Sequence, residues 1–181
     1  MRAEAMGAHV SEAQLSHLDQ TYDLEMGMIG ADGGDGLRGF ANQIGSIPTH
    51  RLLDGWLVKL EAYRTGMAGF AGFWSKLDAF RQAMFAELSR FDVLLSPVSA
   101  SPAIEHGRSV EDAVFRGYSY TMTYNLTGWP AGVVRFGTSR EGLPIGVQIA
   151  AAPWREDLVL AVALMLEQRG GWQAPVIVSN R

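Results

Sequence analysis

The chain has 181 residues, a net charge of −4, 48% hydrophobic and 19% charged residues, and no cysteine. These values exclude disulfides, thiolate nucleophiles and cysteine-ligated zinc together, and the mild acidity leaves no basic footprint for nucleic acid. The longest apolar run, residues 158–166, spans nine positions, against about 20 for a transmembrane helix; residues 1–20 lack a signal-peptide layout, so a cytoplasmic protein without a transmembrane segment is expected.

Acidic residues gather early. Residues 1–36 hold seven acids against the single base Arg2, which reads as a solvated segment. Weak helical spacing runs over residues 8–30 through Val10, Leu15, Leu18, Leu24, Met26 and Ile29. Ala31-Asp32-Gly33-Gly34-Asp35-Gly36 then interrupts it as a turn, because Gly takes positive φ freely and Asp tolerates it. No Gly-Lys-Ser/Thr follows, so the run is not a phosphate loop; it also lacks the alternating ligands and closing Glu of an EF-hand. Over residues 51–90 the spacing predicts two helices. The first carries Leu52, Leu53, Trp56, Leu57 and Leu60; the second carries Phe73, Leu77, Phe80, Met84 and Leu88. Gly66, Gly69 and Gly72 place a break or a close helix contact between them.

Asp92-Val93-Leu94-Leu95-Ser96-Pro97 reads as a short buried strand stopped by proline. Residues 110–126 form one predicted helix, with Glu111 and Asp112 suited to its N-terminus and Gly128 and Pro130 stopping it. Residues 131–136 and 143–150 are strand-like, and the polar, glycine-flanked loop between them predicts a β-hairpin. Residues 155–168 form a last helix, with Glu156 and Asp157 in its first turn and Arg169 at its end; Gly170-Gly171 terminates it. Strands alternating with longer helices indicate an α/β fold.

Residue chemistry alone yields no complete active site. His9, His17, His50 and His106 show no metal-ligand spacing. Gly-x-Ser-x-Gly is absent, since Gly45-Ser46 is followed by Ile47-Pro48. The two lysines, Lys59 and Lys76, follow Trp56 and Phe73 at three residues, so there is no Ser-x-x-Lys pair. A hydroxyl nucleophile needs a base within hydrogen-bond reach. Ser46, Ser96 or Ser99 with His50 or His106 is the one remaining combination, and nothing in the sequence pairs them.

The C-terminal half carries a resemblance. Ser119-Tyr120-Thr121-Met122-Thr123-Tyr124-Asn125-Leu126-Thr127-Gly128-Trp129-Pro130-Ala131-Gly132-Val133-Val134 resembles one motif of the amidase signature family. Glu141-Gly142-Leu143-Pro144-Ile145-Gly146-Val147-Gln148-Ile149, followed by Pro153-Trp154-Arg155-Glu156-Asp157, resembles another, as does Asp92-Val93-Leu94-Leu95-Ser96-Pro97. Order and spacing agree, and the wording is similar to the amidase and fatty-acid-amide-hydrolase-like branch.

That resemblance implies a mixed β-sheet covered by helices, here incomplete, and hydrolysis of carboxylic amides to acid and amine by a Ser–Ser–Lys triad with no cofactor and no metal. The family's glycine-rich serine segment and lysine base have no counterpart in this sequence, so no catalytic residue carries over. The expected domain is the C-terminal portion of a single amidase-signature domain over residues 1–181: an acidic leading segment (1–48), a helical segment (49–90) and a strand and helix segment bearing the motifs (91–181). By the same resemblance Thr121, Tyr124 and Trp154 line a substrate channel, with Met122 and Met165 as neighbours, while Asn125 satisfies buried backbone groups. Glycines 128, 142 and 146 serve turns or close backbone approach. The expected partners are a small-molecule amide, if an N-terminal half completes the enzyme, and further copies of the chain through uncovered sheet edges. The competing expectation is a catalytically inactive stand-alone module that binds a small apolar ligand or a protein.

Overall fold

A computed structural model describes residues 7–170. Among these, seven helices and three strands follow in the order α1 (Thr21–Ile29), α2 (Asp35–Gln43), α3 (Arg51–Glu61), α4 (Met67–Leu88), β1 (Val93–Pro97), α5 (Asp112–Arg116), α6 (Ser119–Thr127), β2 (Ala131–Thr138), β3 (Pro144–Ala151) and α7 (Glu156–Gly170). The sheet is antiparallel with order β1-β3-β2. The predicted hairpin therefore forms, and its second strand becomes the central one.

Side chains alternate across a strand, and here the two faces meet different helices. Ile149, Ala151, Val93 and Val134 pack with Val159 and Leu166 of α7. The opposite face presents Leu94, which joins a core of Leu77, Phe80, Met84 and Leu88 from α4, Leu24 from α1, and Leu126 and Trp129. A third cluster unites Tyr22 and Met26 of α1, Leu57 and Leu60 of α3, and Met122 of α6. Helix α1 thus joins the sheet-covering layer to the outer helices. It approaches α4 so closely at Gly27 that an added Cβ would collide with the Phe73 ring.

Several elements depart from the periodicity. The leading segment is helical only from Thr21, after a 3-10 turn over Leu18–Gln20; Ala13 and Leu15 nevertheless reach the first core. The Ala31–Gly36 turn ends early, because α2 starts at Asp35. Asp32 accepts the backbone N–H groups of Gly34 (2.7 Å) and Gly36 (2.8 Å), which opens that helix. The break between α3 and α4 falls before Met67, so Gly69 and Gly72 lie inside α4. The single helix expected over 110–126 is two: the Gly117 carbonyl accepts Ala100 N–H at 3.0 Å across the chain, and the helix restarts at Ser119. Gly128 closes α6 at φ 70°, the left-handed conformation glycine reaches most cheaply. The predicted stop at Gly171 lies outside the described residues.

Candidate functional site

A concavity of about 660 Å³ opens on the α6 face of the sheet. The loop of residues 97–104, leaving β1, forms one side. Pro144, Ile145 and Gly146 at the start of β3, with Val133 of β2, form the floor, and Tyr118 and Tyr120 stand over it. The lining is chiefly apolar, with the hydroxyl-bearing residues Ser99, Ser101, Tyr118 and Tyr120 among it. Gly146 sets the floor height. A Cβ there would stand 2.8 Å from a Val133 methyl and 2.9 Å from a Val98 methyl, so glycine leaves room for both side chains beneath the cleft.

Behind the cleft lies a buried polar cluster. Gln148, 2% exposed, faces Ser96 across the β1–β3 ladder. Its Nε2 donates to Ser96 Oγ at 3.1 Å and to the Tyr120 carbonyl at 3.0 Å. One amide thus ties β3 to the edge strand β1 and to α6, fixing the backbone that carries Tyr120. Ser96 also hydrogen-bonds the Tyr124 hydroxyl; burial pushes the Tyr124 phenol above its ordinary value, and the Ser96 bond opposes that rise. Tyr118 is braced from behind, edge to face with Phe115, which stacks the same way on Tyr22. Arg116 covers the Tyr22 ring at 4.0 Å.

Thr121, Tyr124 and Trp154 are not gathered at one place. Thr121 turns its hydroxyl back to the Tyr118 carbonyl at 2.9 Å. Tyr124 packs into the first core and touches the cleft only through Ser96. Trp154 follows β3 at the end away from the cleft, 88% exposed and at φ 66°. Met122 is buried in the third cluster. Asn125 is exposed and, instead of capping backbone, hydrogen-bonds the Glu25 carboxyl, whose pKa burial pushes up. Tyr118, Tyr120, Val133 and Gln148 build or brace the cleft without having stood out in the sequence. A signal for two of them existed. Tyr120 lies one turn before Tyr124 on the same helix face, and an amide set among the apolar residues of a strand demands a buried partner.

Four of the groups considered for catalysis make other contacts. Lys59 Nζ pairs with Asp112, and Lys76 Nζ lies 5.6 Å from the centre of the Phe73 ring. His50 caps α3 by accepting Leu52 N–H at 3.2 Å, and Ser99 Oγ donates to the Ser101 carbonyl at 2.5 Å. Among the described residues no three His, Cys, Asp or Glu side chains converge as a metal ion requires, and no helix is long and apolar enough to cross a membrane.

The chain is similar in sequence to the A subunit of glutamyl-tRNA(Gln) amidotransferase from Bdellovibrio bacteriovorus, 34% identical over 116 residues that cover 61% of this chain and 24% of that protein. It is also similar to human fatty-acid amide hydrolase 2, 27% identical over 191 residues covering 94% of this chain and 36% of that one. The chain therefore spans well under half the length of these relatives. In structure it superposes on 6-aminohexanoate cyclic dimer hydrolase with a TM-score of 0.79 at 24% identity, covering 98% of this chain and 41% of that one. The family model described as Amidase matches residues 2–160. With that match over most of its length, the chain belongs to the amidase signature family.

Proposed function

We propose that this chain is the part of an amide hydrolase that supplies sheet scaffold and one wall of the substrate channel, while the Ser–Ser–Lys chemistry comes from polypeptide beyond it. The observation that carries this reading is the position of the cleft. Its sides come from the segments that bear the family motifs: the loop leaving β1, the start of α6 and the floor formed by β2 and β3. Lys59 pairs with Asp112, Lys76 lies over the Phe73 ring, and Ser99 on the cleft's loop donates to the Ser101 carbonyl. The substrate class on this reading is a carboxylic amide with an apolar acyl or aryl group, seated against Val133, Ile145 and Tyr120. Thr121 and Tyr124 support that wall from within α6. Trp154 belongs to a stretch of channel that additional polypeptide closes. Residues 1–181 act as one portion of a single domain, and the setting is the cytoplasm.

The test has two arms. The isolated chain is expected to bind an apolar aryl amide, with affinity falling about tenfold in Tyr120→Ala through lost stacking area, while releasing no amine from short aliphatic or aryl amides. Turnover by the isolated chain that disappears in Lys59→Ala or Lys76→Ala overturns the assignment of chemistry to other polypeptide. The formed cleft also favours a second reading, an inactive module that holds a small apolar ligand. Binding that persists without turnover, even when the rest of an amidase-signature enzyme is supplied, selects that reading.

A further inference from the structure

We infer that the uncovered face of α2 and the turn after it is the seat of the additional amidase-signature polypeptide; this rests on the reading that such polypeptide completes the chain. Helix α2 has an apolar stripe at Leu37, Phe40, Ala41 and Ile44, yet only Ala41 is buried. Phe40 is 58% exposed, Ile44 59% and Ile47 60%, the last on the turn that follows. The helix does not hang loose. Its first turn is pinned by the Asp32 carboxylate on Gly34 and Gly36 N–H, by Arg64 on Asp35 at 2.8 Å, and by Arg38 on the Gly33 carbonyl at 2.7 Å. Polar contacts fix the orientation of α2 while its apolar side faces outward. A stripe of that kind, rigidly presented and uncovered, marks a protein contact.

The occupant follows from length and charge. The chain superposes on 41% of the length of 6-aminohexanoate cyclic dimer hydrolase, so the greater part of that fold lies outside this chain and is available to pack on it. An anionic membrane fits poorly. The ionic neighbours of the stripe are Asp32, Asp35 and Glu61, and the nearby cations Arg38 and Arg64 are turned onto those acids and onto backbone carbonyls. An interfacial helix instead flanks its apolar face with free basic residues.

The absence of native cysteine provides the assay, because an introduced thiol is the one labelling site on this chain, and peptide mass reads labelling at that position. Phe40→Cys is placed on the stripe and Arg140→Cys in the exposed β2–β3 turn as a control. The partner is the part of human fatty-acid amide hydrolase 2 outside the matched segment, supplied separately and as an in-frame fusion; the corresponding part of the Bdellovibrio amidotransferase protein serves as a second partner. Thiol labelling at position 40 is expected to slow at least roughly tenfold in the complex, in the manner of a group protected by local burial, with position 140 unchanged. A complex that forms while position 40 labels at its free rate overturns the α2 seat and leaves the proposed function standing. Failure to associate with either partner, separate and fused, overturns both. Protection that depends on the concentration of the chain alone assigns the face to a second copy, and protection by anionic phosphatidylserine vesicles assigns it to lipid; either result overturns the inference.

Discussion

At the scale of single residues, Gln148 carries more of the site than its place in a strand suggests. Replacing it with leucine keeps the volume but leaves Ser96 and the Tyr120 carbonyl without their donor. Each hydrogen bond lost is worth about 0.5–1.5 kcal/mol, so Gln148→Leu is expected to lower the urea midpoint and to weaken binding in the cleft. Ser96→Ala should repeat the stability loss in part, because Gln148 then keeps one of its two partners. Glu25 behaves in the opposite sense. Burial raises its pKa, with Asn125 opposing the rise. A carboxyl whose folded-state pKa lies above its unfolded value takes up protons on folding, so stability falls as pH rises from the ordinary carboxylate range through the folded pKa. Glu25→Gln is therefore expected to raise the melting temperature at neutral pH, and the gain should fade as pH drops below the ordinary carboxylate range. A gain that persists at low pH removes this explanation.

At the scale of elements, legibility in the sequence followed the locality of the forces. The hairpin was readable because alternation and a polar turn are encoded side by side, and α4 was readable because Leu77, Phe80, Met84 and Leu88 repeat at helical spacing. All four are buried, and Leu88→Ala is expected to cost about 2–5 kcal/mol in a thermal or urea melt. Helix α2 was not readable. Gly36 and Gly39 argue against a helix locally, and among the contacts that pin its start is one from Arg64, 29 residues from its partner Asp35. The split between α5 and α6 has a similar origin, since the Gly117 carbonyl is drawn to Ala100 rather than along the helix. For the site, the motifs located the right segments, whereas which side chains face the cleft depended on where α6 restarts. That restart turns Tyr120 toward the cleft and the hydroxyl of Thr121 toward its own backbone.

At the scale of the whole molecule, a three-stranded sheet with β1 and β2 at its edges sits beside exposed apolar side chains on α2, α7 and the segment before α7. Leu95 on the edge strand is itself exposed. Unprotected edges of this kind pair with other chains. In light scattering the purified chain is expected to exceed its monomer mass of 19.7 kDa, or else to melt with the broad transition of a loosened core. A monomer with one sharp, cooperative melt contradicts that expectation and indicates that the uncovered faces are tolerated in water.

The strand order has a consequence for synthesis. Leu94 of β1 finds its partner in Ala150 of β3, so the edge strand emerges from a ribosome long before its neighbour exists. Until residues 144–151 are made, β1 has no partner in the described sheet, and every helix up to α6 must wait beside it. Closing so long a loop is slow and leaves apolar strand exposed meanwhile. A chain interrupted between β2 and β3 therefore retains six of the seven described helices yet lacks the central strand of the described sheet, and a ribosomal pause at that point would present β1 to whatever else is nearby.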